Sequence, residues 1–469
     1  MTSIDSVPDD VLLALFTFYM HGDQSDEENE KPWRTLVHVC RRWRSTVFGS
    51  PRHLGLQLVC TDSTRARDSL DIWPALPLII RCHERYDLGV RVGRVDNILA
   101  ALERRDRVRE ITVKGIRSSD LEMALAAMQQ PFPELTQLIL KPHFKTVPLV
   151  PDSFLCGSAP SLRDLRLTGI SFLGLPKLLL SATHLAVLYL DDIPHSGYIS
   201  PDTMVSVLST LTNLYSLTLL FQSPRSCPDQ ASRRPSPSTR SVLPALNYFW
   251  FKGVTEYLED LVACIDAPQL NYLKMTFFND IVFDAPQSIQ FITRTPKLRA
   301  PEKAHITLWE FAADVNVLSR ASGFGELGVK ILCRGMGWQV SSLEQVCTSA
   351  LPPLSTLEDL YIYKCIYWQL DLKDNIENRL WLELLHPFAA VKNLYLSEEF
   401  ALRIVPALQE LSESRTMEVL PCLQNIFLEG LESSGPVNEG IGQFVAARQV
   451  VSHPIAVSRW ANSQQDKLY

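Results

Sequence analysis

Leu162-Arg163-Asp164-Leu165-Arg166-Leu167-Thr168-Gly169-Ile170 and Leu185-Ala186-Val187-Leu188-Tyr189-Leu190-Asp191-Asp192-Ile193 are two copies of one unit, apolar-x-x-apolar-x-apolar-x-x-apolar. The unit first appears at Val108, with Ile111, Val113 and Ile116, and further copies start at Leu246, Leu270, Leu357 and Leu423. Copies whose last position is polar start at Leu135, Leu214 and Val391. The two central apolar positions are two residues apart, the period of a strand with one buried face. Between copies lie segments with helical patterning: Val254 to Ile265, Gln287 to Arg294, Ser342 to Ser349, Asn375 to His386, Phe400 to Leu411 and Asn438 to Val450. Strand, turn and helix in alternation predict an α/β solenoid, with parallel strands on a concave face and helices on the convex one. The stretch from Leu270 to Leu357 leaves room for about two blurred copies.

Composition supports a large buried core. The chain has 469 residues, 46% hydrophobic and 21% charged, with a formal net charge of −7 and a pI near 5.9. An acidic balance gives no general attraction for polyphosphate, so no nucleic-acid partner is expected. The 10 cysteines contain no Cys-x-x-Cys pair, which points to thiols of a reducing compartment, cytoplasm or nucleus. No signal peptide and no apolar run long enough to span a membrane is read, so no membrane partner is expected. Gly323-Phe324-Gly325-Glu326-Leu327-Gly328 matches a dinucleotide-loop spacing, but strand-forming residues follow it rather than precede it, so it reads as a turn. No other nucleotide, zinc or nucleophile motif occurs; the reading is non-enzymatic and without cofactor.

Residues 1–50 read as helical. Ser6-Val7-Pro8-Asp9-Asp10 is a helix start, with a capping serine, a proline of fixed φ and two carboxylates at the positive end of the dipole. Val11, Leu12, Leu15, Phe16 and Tyr19 follow as a stripe, then an acidic loop from His21 to Glu30. A second helix is predicted from about Pro32 to Val47, its stripe Trp33, Leu36, Val37, Cys40, Trp43 and Val47. After it come strand patterns at His53–Leu58 and Leu76–Ile80, and helical stretches at Arg65–Ile72 and Asn97–Glu103. Residues 51–107 are taken as a linking and capping region and 108–469 as the irregular repeat array. Its loop at 223–240, rich in Pro, Ser and Arg, is expected to be disordered.

Val7-Pro8-Asp9-Asp10-Val11-Leu12-Leu13-Ala14-Leu15-Phe16 resembles the opening of an F-box, and Val39-Cys40-Arg41-Arg42-Trp43-Arg44 resembles its close. The repeat starts fall in or near the period of about 20 to 29 residues of leucine-rich repeats. The chain thus resembles the F-box/leucine-rich-repeat proteins of the expanded fungal type, although Val7 stands where a leucine is usual and most copies lack Asn or Cys at the ninth position. The resemblance implies a substrate receptor of a cullin-type ubiquitin ligase. Its F-box would bind a Skp-type adaptor, and through it a cullin, while the repeats hold a protein target. The alternative is a repeat scaffold outside any ligase.

A helical hairpin this short cannot bury both its stripes against itself, so Pro8, Leu12, Leu15, Phe16, Val39, Cys40 and Trp43 are candidates for an interface with another helical protein, or for capping the first repeats. In each repeat the residue between the two central apolar positions points to the open face: Thr112, Ile139, Arg166, Tyr189, Thr218, Trp250, Lys274, Tyr361, Tyr395 and Phe427. Tyr363 lies two residues after Tyr361. Arg166, Tyr189, Trp250, Lys274, Tyr361, Tyr363, Tyr395 and Phe427 are the candidates for target binding. The same aromatics could instead stack on one another along the sheet.

Overall fold

A computed structural model of the chain describes residues 7–21, 33–61, 66–83, 95–143, 148–226, 239–278, 285–319, 324–349, 351, 352, 354, 356–364, 376–411, 415, 417–429 and 436–460. The chain divides into two compact units, Met1–Leu167 and Thr168–Tyr469.

The first unit opens with helices α1 (Asp9–His21), α2 (Trp33–Val39) and α3 (Arg41–Gly49). The single helix expected from Pro32 to Val47 is two helices. Cys40 adopts an extended backbone, φ −156° and ψ 170°, and its Sγ accepts a hydrogen bond from the Trp43 N–H at 3.5 Å, so the thiol caps α3. Ser6 and the acidic segment from Gly22 to Glu30 lie outside the described residues. Parallel strands β1 (Leu58–Thr61), β2 (Leu78–His83), β3 (Val108–Ile116), β4 (Gln137–Pro142) and β5 (Asp164–Thr168) then pair in chain order. Helices α4 (Ala66–Ile72), α5 (Val95–Leu102) and α6 (Ser118–Ala127) lie between them. The strand expected at His53–Leu58 does not form. Gly55 turns the chain at φ +57°, a left-handed value that favours glycine, and pairing begins only at Leu58.

The second unit holds β6 (Val187–Ile193), β7 (Ser216–Phe221), β8 (Ser241–Val242), β9 (Tyr248–Gly253), β10 (Ile265–Asp266), β11 (Tyr272–Phe277), β12 (Lys303–Leu308), β13 (Ala313–Ser319), β14 (Gly325–Ile331), β15 (Asp359–Lys364), β16 (Asn393–Leu396), β17 (Asn425–Glu429) and β18 (Ala456–Trp460). The two-residue strands β8 and β10 pair with each other. The others form one sheet, ordered β6-β7-β9-β11-β14-β13-β12-β15-β16-β17-β18. Helices α7 (Leu175–Ser181), α8 (Pro201–Leu208), α9 (Thr255–Ala263), α10 (Pro286–Arg294), α11 (Met336–Ser349), α12 (Asn378–Leu385), α13 (Glu398–Gln409) and α14 (Pro436–Val450) connect or follow them.

Alternation builds the core. Leu188, Leu217, Phe249, Leu273, Leu360, Leu394 and Ile426 are buried on successive parallel strands, and so are Leu190, Leu219, Phe251, Met275, Ile362, Leu396 and Leu428 two residues on. Helix residues such as Leu258, Leu261, Ile404 and Leu408 are buried too, as expected of helices laid against a sheet. Before each strand one backbone bond repeats: Tyr215 N–H to Ala186 O, Asn247 to Tyr215, Asn271 to Asn247, Gln424 to Lys392. The result is a solenoid-like, mixed α/β arrangement in which sheet order follows chain order.

The exception is the interval from Leu270 to Leu357. Instead of two blurred parallel copies it holds a three-strand meander. After α10 the chain forms β12, turns back through Trp309–Ala312 as the antiparallel β13, and returns as β14 beside β11. The expected turn over the glycine motif is strand from Gly325 onward; Gly323 lies outside the described residues. Close approach explains both described glycines. A Cβ on Gly328 would sit 2.5 Å from Asn316 Oδ1, and one on Gly325 would strike the Lys297 carbonyl. Most of the 223–240 loop lies outside the described residues; at its end Arg240 Nε donates to the Ala263 carbonyl at 3.1 Å.

Candidate interaction surfaces

The helical module has two distinct sides. On one, Trp33, Val37 and Val47 are fully buried. Trp33 packs edge-on against Trp73, centroids 5.1 Å apart, and its Nε1 donates to the Gln57 carbonyl at 3.2 Å, so this side anchors the module to its own unit. On the other side Val11, Leu15, Phe18, Tyr19 and Val39 are exposed; Phe18 is 80%, and Leu15 and Val39 are each 56% exposed. Between α1 and the α2–α3 pair runs an apolar groove of about 370 Å³, bounded by Leu15, Tyr19, Thr35, Val39 and Trp43.

The seven residues that the sequence marks as interface candidates separate accordingly. Pro8, Leu15, Val39 and Cys40 are exposed and Trp43 is half-buried. Leu12 and Phe16 are not surface groups: they are 0% and 2% exposed and form the groove floor, with Phe16 edge-on to Trp43 at 4.8 Å. Arg42 holds the N-terminal side in place, its guanidinium 2.7 Å from Asp9 Oδ1 and bonded to the Val7 carbonyl. Sequence periodicity marks the stripe but not which of its residues face inward, because Trp33 and Trp43 lie on one and the same apolar stripe.

The second surface is the sheet face opposite the buried positions. In the first unit Thr112, Ile139 and Arg166 stand in register on β3, β4 and β5. Arg166 is exposed and its Nε lies 2.9 Å from Asp164 Oδ1. In the second unit one register row runs Tyr189, Thr218, Trp250, Lys274, Gly328, Asn316, His305, Tyr361, Tyr395, Phe427, Ser458. Every predicted open-face residue of this unit except Tyr363 is in that row; Tyr363 lies beside it.

The rings are not free-standing. His305 stacks on Tyr361 with centroids 4.5 Å apart, Tyr361 on Tyr395 at 4.1 Å, and Tyr395 on Phe427 at 4.4 Å, all within 9° of parallel. Beside this ladder runs a polar one: Lys303 Nζ lies 2.9 Å from Asp359 Oδ2, Asn393 donates to Asp359 at 2.7 Å, and Asn425 donates to Asn393 at 2.8 Å. Further along, Lys274 Nζ sits 5.0 Å from the Trp250 ring, Tyr248 stacks on Tyr272 at 4.6 Å, and the Tyr189 hydroxyl bonds Asp191 at 3.3 Å. The inner rings of the ladder, Tyr361 and Tyr395, offer edges and hydroxyls rather than open ring faces.

Burial governs its charge states. His305 is 6% exposed; burial, with Lys303 adding to it, lowers its pKa to about 4, so the imidazole is neutral near pH 7. Burial, then Tyr361 beside it, pushes the Tyr395 phenol up to about 12. Burial also raises the Asp314 and Glu326 carboxyls, opposed by Lys330 and Lys274 respectively. His305, Asn316 and Trp460 also stand on this face, outside the residues that the repeat pattern marks. Alternation of Ala304, Ile306 and Leu308 around His305 carried the signal, but that copy lacks the leading leucine.

Among the described residues no group of three His, Cys, Asp or Glu is placed to hold a metal ion, and no helix is long and apolar enough to cross a membrane. No protein-family model matches the chain, and no curated protein matches it. Among solved structures, the chain is similar to the leucine-rich repeat-containing protein LegL7 from Legionella pneumophila, at 12% identity and a TM-score of 0.27, covering 83% of this chain and 97% of that one. At that score the likeness adds nothing to what strand register establishes.

Proposed function

We propose that the chain is a non-catalytic adaptor that joins two proteins. The exposed side of the α1–α3 module docks onto a Skp-type adaptor of a cullin ubiquitin ligase, and the open sheet face of the second unit takes a protein target. The observation carrying the first half is the two-sidedness of the module. One side is spent on anchoring, while Leu15, Tyr19 and Val39 are exposed apolar residues around a groove, and Phe18 is exposed on the same helix as Leu15 and Tyr19. The F-box resemblance of Val7–Phe16 and Val39–Arg44 supplies the partner's identity. A specific interface of about 1,200–2,000 Å² in total is within reach of three helices. The adaptor chemistry would be tethering alone, raising the target's effective concentration near a ubiquitin-loaded enzyme. Its compartment would be cytoplasm or nucleus, where the ligase acts. Co-purification with the adaptor from cells, and its loss on Leu15→Asp, tests this reading.

The second reading is a repeat scaffold outside any ligase, favoured by Trp33 locking the module onto its own unit. It expects no adaptor binding, while target capture by the second unit is kept.

A further inference from the structure

The last strand of the second unit is fully paired through its backbone but buries little side-chain surface. On β17, Ile426 and Leu428 are buried. Their in-register counterparts on β18, Val457 and Arg459, are exposed. After Ile455, β18 therefore buries nothing on the core side. Among the described residues it is held by its parallel ladder with β17 and by Trp460. Segments with little buried area open at a small fraction of the global unfolding free energy.

Trp460 is placed where the ring ladder lies. Ser458 is the register partner of Phe427, and Trp460, two residues on, points to the same face. Its ring meets Tyr395 edge-on, centroids 5.5 Å apart at 68°, and Tyr361 at 6.0 Å and 59°. It thus reaches back over β17 to lie across rings carried by β16 and β15. Stacked rings have spent their faces on each other, so the arrangement open to a further ring is edge-to-face, and Trp460 adopts it.

We propose that Ala456–Trp460 is an own-chain stand-in for the target: an extended protein segment that adds in parallel to β17 and lays one aromatic side chain across Tyr361 and Tyr395. The proposal deepens the reading of the sheet face as a target site and rests on it. Strand addition supplies affinity through the main chain, and the aromatic supplies selection. A target must outcompete a tethered segment, whose effective concentration is on the order of millimolar, so weak aromatic-bearing strands are rejected.

The test uses the full chain and a fluorescein-labelled peptide of sequence Ile-Ala-Val-Ser-Arg-Trp, that of residues 455–460, read by anisotropy. Ser458→Pro breaks the β18 backbone pattern. That variant should bind the peptide at least tenfold more tightly than the wild-type chain, and replacing the peptide's Trp by Ala should cost tenfold or more. Trp460→Ala, which leaves the backbone pattern intact, should give a smaller gain and serves if the proline variant misfolds by circular dichroism. Equal peptide binding by all three chains, or equal binding of the Trp and Ala peptides, would overturn the proposal. So would wild-type dimers by light scattering that Trp460→Ala abolishes, which would assign the face to a second copy. The assay needs neither target nor adaptor. Its failure would leave the target-face reading standing, to be judged separately by target capture with Tyr395→Ala.

Discussion

Tyr361 and Tyr395, on neighbouring parallel strands, lie ring on ring with centroids 4.1 Å apart and planes 9° from parallel. An in-register parallel pair fixes this. Strands about 4.8 Å apart bring identical positions together, and flat rings lean until they touch. Tyr395 also stacks on Phe427, so it is one of the two inner rings of the ladder, covered on both faces. Tyr395→Ala removes both contacts and should lower the unfolding free energy of the second unit by about 2–4 kcal/mol. Tyr395→Phe keeps the stack and should cost under about 1 kcal/mol. Urea unfolding of the full chain, followed by far-ultraviolet circular dichroism, measures both.

His305 makes the same ladder sensitive to acid. Its pKa falls from an ordinary 6.5 to about 4 in the fold, with burial as the main cause. In the unfolded chain the imidazole takes a proton as pH falls through 6.5, while in the fold it does not until near 4. The stabilisation is therefore present above pH 6.5 and is lost on acidification between those values, to a total of about 3 kcal/mol. His305→Phe retains the stack on Tyr361 and should lose about 2–3 kcal/mol less than the wild type between pH 7 and pH 4.5. Equal losses in the two chains would refute the assignment.

Trp33 is the anchor of the helical module. It is fully buried and meets Trp73 and Phe48 edge-on. Trp33→Ala should cost about 3–5 kcal/mol in the first unit. Limited proteolysis should then cleave between the module and β1 far faster than in the wild type.

The meander gives a reciprocal test. A methyl on Gly328 would meet the Asn316 carboxamide at 2.5 Å. Gly328→Ala should destabilise the chain by about 1–3 kcal/mol. Combining it with Asn316→Ala should return part of that loss, since the obstructing group is a side chain and not backbone. Additive losses in the double variant would mean that the two residues do not collide.

Much of this was legible in the residues themselves. The copies at Leu185, Leu246, Leu357 and Leu423 mark strands whose register, carried through the meander, places Tyr189, Trp250, Tyr361 and Phe427 in one row, because a period of two leaves no freedom about which face a side chain takes. Other features escaped for identifiable reasons. The antiparallel β13 breaks the repeat logic without a local signature, since Val315 and Val317 alternate as a parallel strand's residues would. The break at Cys40 is a backbone choice made by a side-chain cap, invisible to apolar periodicity. Leu12 and Leu15 belong to one helical stripe, yet one is floor and the other rim. Only the packing of α1 against α3 separates them. Trp460 carried no signal, because its strand has no buried partner positions to announce it.

Exposed side chains on the module can be changed without touching its core, and that allows the most direct test. Leu15 and Val39 are each 56% exposed beside the groove, so Leu15→Asp and Val39→Asp should leave thermal unfolding within about 0.5 kcal/mol of wild type. Calorimetric titration of the purified chain with a Skp-type adaptor should give a Kd at or below about 1 µM, weakened at least tenfold by either substitution. No binding by the wild-type chain, or binding that neither substitution weakens, would contradict the account.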